Sequence, residues 1–173
     1  CKGYFDRVVS IEMIEAVGRQ FLPTYFGSIA SALKPGGTAA LQAICVADSR
    51  YDTYSRGSDF IRKHIFPGSH LPCPGAINQL AAAAGLTVDH GATTSLGLSY
   101  AKTLAIWRRR FAAALPQIHK LQAAASVAEK ADGGVASSGG AFDDAFARKF
   151  DYYFAYCEAG FAARHIETLQ IRL

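Results

Sequence analysis

The stretch "LKPGGTAALQAICV", Leu33 to Val46, decides the fold. Lys34-Pro35-Gly36-Gly37 stops whatever precedes it, because proline cannot continue a helix and glycine tolerates positive φ. Thr38 to Val46 then reads as a mostly buried strand. Upstream, Phe21, Leu22, Tyr25, Phe26, Ile29 and Leu33 fall on one face of a helix running from Arg19 to Leu33. Before it, Phe5 to Ile11 (FDRVVSI) reads as a short strand. Strand, helix, Pro-Gly-Gly turn and strand make a βαβ unit, so a parallel sheet and an α/β fold follow.

The chain has 173 residues, 50% of them hydrophobic and 18% charged, which suits one compact domain with a real core. No apolar run approaches the roughly 20 residues that cross a bilayer. The net charge of +4 permits contact with an anionic membrane surface without demanding it. Cys1, Cys45, Cys73 and Cys157 lie far apart with no C-x-x-C, so free or buried thiols are expected rather than disulfides or zinc. Cys1-Lys2-Gly3 runs straight into a strand-like segment with no initiating Met. That start reads as a piece of something longer, without a signal peptide.

Beyond Val46, the segment Ala47 to Pro74 reads as mostly loop, with a short helix near Asp59 to Phe66. Its tyrosines and phenylalanines suit a loop that covers a site. Pro74 to Ala84 reads as a helix ended by Gly85, and Leu86 to Asp89 as a third strand. Tyr100 to Leu115 is helical in pattern, and Phe142 to Phe161 carries a wide apolar helical stripe. Between them the segment 126–141 is rich in Ala, Gly and Ser and reads as a flexible insertion. Glu167 to Leu173 alternates and reads as a last, edge strand.

The opening strand is followed by "IEMIEAVG", Ile11 to Gly18, in which Glu12 and Glu15 sit among apolar neighbours. Two readings fit each acid: a solvated carboxylate at a strand end, or a group at the mouth of a pocket. The histidines show no metal-ligand spacing, no G-x-S-x-G is present, and no metal is expected. His64 and His70 flank "IFPG" and suit structural roles or a lid. Trp107-Arg108-Arg109-Arg110 reads as a solvated helical face with Trp107 on the core side, or as a site for phosphate head groups. Nucleic acid is disfavoured, because no aromatic–basic interleaving accompanies the small net charge.

The segments "FDRVVSIEMIEAVG", "LKPGGTAALQAI", "FIRKHIFPGSHLP", "LGLSYAKTLAIWRRRF" and "YYFAYCEAGFAARHIETLQ" resemble, in this order, the C-terminal part of the cyclopropane-fatty-acyl-phospholipid synthases. These are class I S-adenosylmethionine-dependent methyltransferases. The resemblance implies the C-terminal half of a Rossmann-like, doubly wound sheet with a helical lipid-binding cap. Residues 1–173 would form a partial catalytic domain lacking the N-terminal cofactor-binding half, since no Gly-rich strand–turn–helix is present.

The implied reaction adds a methylene from S-adenosylmethionine across a cis double bond of a phospholipid acyl chain, with bicarbonate as the base. On this resemblance Glu15 and Tyr100 are catalytic, and Glu15, Gln42, Tyr100 and the Ile44 backbone N–H bind bicarbonate. Relatives carry His where Gln42 stands, and an amide donates a hydrogen bond that does not vanish with pH. Glu15 against an anion is expected to have a raised pKa. For Tyr100, anchoring a helix start is the alternative. A relative that methylates or hydroxylates without ring closure is the runner-up, because the same pocket handles the same cation, and a non-catalytic lipid- or partner-binding piece is the alternative of a different class. Cytoplasmic location with peripheral membrane contact and a homodimeric full-length protein are further expectations. The isolated chain is expected to be inactive.

Overall fold

A computed structural model describes the backbone of residues 3–131 and 142–173 and the side chains of 3–122 and 142–173. Two compact units emerge, Cys1–Tyr100 with Gly160–Leu173, and Ala101–Ala159.

The first unit is a Rossmann-like mixed sheet with flanking helices. Strand β1 (Phe5–Ile11) leads through two short 3-10 turns into helix α1 (Leu22–Ala32) and on to strand β2 (Leu33–Val46). β1 and β2 pair in parallel, as the βαβ pattern requires. The Pro-Gly-Gly segment does not close a separate turn. It enters β2 as an irregularity, because Phe5 pairs with Leu33 while Arg7 pairs with Thr38. A side chain at Gly37 would be tight there, since a Cβ would lie 3.0 Å from the Lys34 carbonyl and 3.1 Å from that of Asp6.

The third strand is β3 (Asp89–Ser95), not Leu86 to Asp89, and Leu86 and Val88 instead pack against the core. Strand β4 (Ile166–Arg172) is not an edge, because the order β1-β2-β4-β3 sets it between two neighbours. Both of its pairings are antiparallel, so the sheet is mixed. The stretch after β2 is not mostly loop: helix α2 (Asp48–Arg56) precedes the expected short helix α3 (Phe60–His64). α2 has no buried residue, which is why it carries no apolar period. Asp48 and Arg56 complement its dipole at opposite ends. The Tyr54 hydroxyl accepts from the Leu71 N–H at 3.0 Å, and Tyr51 bonds the buried His70 ring at 3.0 Å.

Helix α4 (Pro74–Ala83) starts with Pro in its first turn and Cys73 as its cap. The core joins α1, α4 and one face of the sheet, with Phe26, Ile29, Leu41, Ala43, Ile77 and Ile171 at its centre. The other sheet face is open along β1, where Val9 is 67% and Ile11 58% exposed.

Helix α5 (Gly97–Ala131) begins in the first unit, and helix α6 (Asp144–Ala162) ends in it. α5 continues to Ala131, so the first part of the segment 126–141 is helical; the remainder, 132–141, lies outside the described residues. Within the second unit Phe111 meets Phe150 and Phe154, and Phe146 stacks on Phe150 with ring centres 4.4 Å apart. Arg108 forks onto Asp151 at 2.7 and 3.0 Å. The inner line of the helix runs through Leu104, Arg108 and Phe111, and Trp107 falls on the flank, half exposed rather than on the core side. Among the described residues no helix is long and apolar enough to cross a membrane.

Candidate active site

The parallel strands β1 and β2 point their carboxyl ends the same way, and in open α/β sheets ligands bind beyond those ends. Here β1 ends and the chain turns sharply. Glu12 has φ 51°, a left-handed conformation that costs a side-chain-bearing residue strain. Its N–H donates to the Gln42 carbonyl at 2.8 Å, carrying the β1–β2 ladder one residue beyond the strand. The turn Ile14–Ala16 follows, with Ile14 in the core and Glu15 beside it.

Glu15 is only 9% exposed. Its Oε1 accepts from the Ile44 N–H at 2.5 Å, and Oε2 is buried without a partner among the described residues. Burial pushes its carboxyl pKa up, opposed by the Ile44 N–H and its own backbone, with Glu12 adding a smaller push upward. The Glu15 carbonyl accepts from the His70 N–H at 2.8 Å, which ties the segment after "IFPG" to the acid. His70 itself is buried and held well below the usual imidazole range, at about 4, by desolvation first and then by Arg62 and Arg19.

Gln42 and Tyr100 meet Glu12 rather than Glu15. Gln42 Nε2 donates to Glu12 Oε1 at 2.9 Å and to the Tyr100 hydroxyl oxygen at 2.7 Å. The Tyr100 hydroxyl in turn donates to Glu12 Oε1. Tyr100 stands in the first turn of α5, its ring 5.2 Å from that of the buried Phe161. Burial, then the hydrogen bond to Glu12, pushes its phenol up to about 12, so it keeps its proton near neutral pH. Glu12 is thus the hub, and Glu15 hydrogen-bonds Ile44 alone of the three partners that the resemblance grouped around it.

Gln170, which the sequence reading did not single out, completes the cluster. Its amide donates to Gln42 Oε1 at 2.9 Å across the β2–β4 pair. The alternation of Leu169, Gln170 and Ile171 places it on the face opposite the core, but only the register of β4 against β2 makes it Gln42's partner.

These residues do not fit a bound bicarbonate. The anion needs donors, and all three that were expected to hold it already serve carboxylates of the chain: Ile44 serves Glu15, while Gln42 and Tyr100 serve Glu12. A third anion would meet two acids. S-adenosylmethionine is fitted at its sulfonium end only. The unpartnered Glu15 Oε2 and the Glu12 carboxylate place negative charge beyond the strand ends, but β1 leads into no Gly-rich phosphate- or nucleotide-type turn. Cys45 and Cys73 are buried thiols with pKa values raised by desolvation, and hence poor nucleophiles. No group of three or more metal-ligating side chains occurs among the described residues.

Residues 1–171 match the family described as mycolic acid cyclopropane synthetase. Tuberculostearic acid methyltransferase UfaA1 of Mycobacterium tuberculosis is 37% identical over 169 residues, covering 97% of this chain and 35% of its own length. The cyclopropane-fatty-acyl-phospholipid synthase of Escherichia coli K12 is 31% identical over 167 residues, covering 96% and 37%. The chain therefore spans about a third of the length of these curated relatives. Mycolic acid cyclopropane synthase CmaA1, complexed with SAH and CTAB, superposes with a TM-score of 0.71 at 25% identity, over 99% of this chain and 56% of that one. The cyclopropane synthase MmaA2 from Mycobacterium tuberculosis, 19% identical, shares the fold with a TM-score of 0.70 over the same shares of the two chains.

Proposed function

The chain belongs to the mycolic acid cyclopropane synthetase family, and from that membership we propose that it is the C-terminal part of an enzyme that adds a methyl carbon from S-adenosylmethionine to the double bond of a lipid acyl chain and closes the ring to a cyclopropane. One observation carries the reading: two carboxylates, a protonated phenol and an amide converge beyond the carboxyl ends of β1 and β2, with no thiol or amine among them. An alkene is a poor nucleophile and leaves a carbocation when alkylated. A site for that reaction has to hold positive charge without trapping it.

Bound S-adenosylmethionine supplies an electrophilic methyl on a positively charged sulfur. The chain's own residues supply the rest. Glu12 and Glu15 lower the energy of a cation in a half-buried setting where charges are weakly screened. Tyr100 stays neutral and offers its ring as well as its hydroxyl, and aromatic faces attract cations. Gln42 orders both without competing as a base.

We place the remainder of the methyl donor's site on polypeptide outside residues 1–173. The absent Gly-rich turn and the open face at Val9 and Ile11 support this. The aromatic row of the second unit, Phe146, Phe150 and Phe154, suits contact with an acyl chain, and Arg109 and Arg110 suit head-group phosphates at a membrane surface. A second reading, methylation without ring closure, is favoured by the 37% identity to a relative named as a tuberculostearic acid methyltransferase.

The test is incubation of the intact protein with S-adenosylmethionine and vesicles of cis-unsaturated phospholipid, followed by mass spectrometry and proton NMR of the extracted acyl chains. Gain of one CH2, with loss of the vinyl protons and new upfield ring protons, is expected. Glu15→Gln and Tyr100→Phe should each cut the yield by about tenfold or more. Acyl chains of unchanged mass would refute the reading.

A further inference from the structure

A carbocation that closes to a ring must lose a proton, and the acceptor has to sit beside it. The cluster already contains such a group. Two donors, the Gln42 amide and the Tyr100 hydroxyl, converge on one oxygen of Glu12. The orientation of the amide is fixed from behind, because Gln170 donates to its oxygen and leaves only the NH2 group to face Glu12. Both amide hydrogens are used, one on Glu12 and one on Tyr100. The backbone accepts a left-handed conformation at Glu12, which glycine would adopt without strain, and is held there by the N–H bond to Gln42. Strain kept at a side chain that three other side chains organise points to a use for that side chain.

We propose that Glu12 is the proton acceptor of the reaction, a carboxylate built into the chain at the place where a small anion would otherwise have to be bound from solution. The inference rests on the acyl-methylation reading above. Once the new carbon–carbon bond has formed and the carbon–sulfur bond has broken, a C–H bond of the added carbon gives its electron pair to the ring-closing bond. Its proton passes to Glu12, whose Oε1 is committed to Gln42 and Tyr100 and whose Oε2 receives it. The neutral acid then returns the proton to water. No oxidant or further reactant is needed. Glu15, bonded to Ile44 and hydrogen-bonded to neither donor, stabilises charge but does not take this proton.

The experiment compares intact wild-type protein with Glu12→Gly, which relieves the positive φ and empties the anion position, in carbon-dioxide-free buffer and with added bicarbonate. Wild-type turnover should not depend on bicarbonate. Glu12→Gly should be folded by circular dichroism, slower by about a hundredfold or more without the anion, and restored in part by bicarbonate or formate. Calorimetry with bicarbonate alone should show binding to the variant and none to wild type. Wild-type turnover that collapses without bicarbonate, or heat of bicarbonate binding to wild type, would overturn the assignment. So would a folded Glu12→Gly that keeps full rate without an anion or stays inactive with one. Wild-type protein that transfers no methyl to lipid under any condition refutes the underlying reading, and this inference with it.

Discussion

Gln170 and Gln42 face each other across the antiparallel β2–β4 pair, and the Gln170 amide donates to the Gln42 side-chain oxygen at 2.9 Å. An amide is two-faced, and its partner decides which face is presented. Gln170 thereby determines that Gln42 offers hydrogen atoms, not a lone pair, to Glu12 and Tyr100.

Gln170→Leu should therefore slow turnover without changing the apparent affinity for acyl substrate. The loss of one orienting hydrogen bond, about 0.5–1.5 kcal/mol, corresponds to roughly two- to tenfold in kcat. A rise in KM at constant kcat would show that Gln170 serves binding instead.

Glu15 makes stability depend on pH in a direction opposite to most acids. Its folded-state pKa lies above the ordinary 4.5, so between the ordinary and the raised value the folded chain holds a proton that the unfolded chain has released, and above that window the carboxylate is charged. The stability this gives is complete below about that ordinary value and is lost as pH rises through the raised pKa. Glu15→Gln, neutral at every pH, should flatten that decline and denature at higher denaturant concentration than wild type at neutral pH. Urea titrations at a series of pH values measure it. A variant less stable than wild type at pH 7 would show that the charged carboxylate is net favourable where it lies.

His70 acts with the reverse sign. Its folded pKa of about 4 lies below the ordinary 6.5, so the unfolded chain binds the extra proton. Stability should fall as pH drops from about 6.5 towards about 4, by on the order of 3 kcal/mol across the window. His70→Gln should remove that slope while leaving the Glu15 slope in place. The same series of titrations distinguishes the two.

The βαβ unit was legible because it is written in local terms: a helical stripe at Phe21, Leu22, Tyr25, Phe26 and Ile29, a proline-glycine stop, and an apolar strand. The place of β3 is not legible because its polar residues Asp89 to Ser95 are held by backbone pairing to β4 and bury nothing, whereas the apolar Leu86 and Val88, which read as a strand, pack against the core from an irregular segment. α2 was missed for a related reason, since tyrosine hydroxyls bonded to Leu71 and His70, not an apolar face, hold it in place.

At the site, the motifs single out Glu15, Gln42, Ile44 and Tyr100, and the structure joins them in two separate sets, Glu15 with Ile44 and Gln42 with Tyr100. The connections among them were not legible. Which acid Gln42 and Tyr100 would serve depends on the left-handed turn at Glu12, and Gln170's part depends on strand register more than a hundred residues away in sequence.

The most direct measurement of the central claim uses S-adenosylmethionine carrying a trideuterated methyl group, with the intact protein and a cis-unsaturated phospholipid. Proton loss from the added carbon predicts product lipid that has gained one carbon bearing two deuterium atoms, the third having gone to the base. Product that retains all three deuterium atoms, or lipid that gains none, would contradict the account.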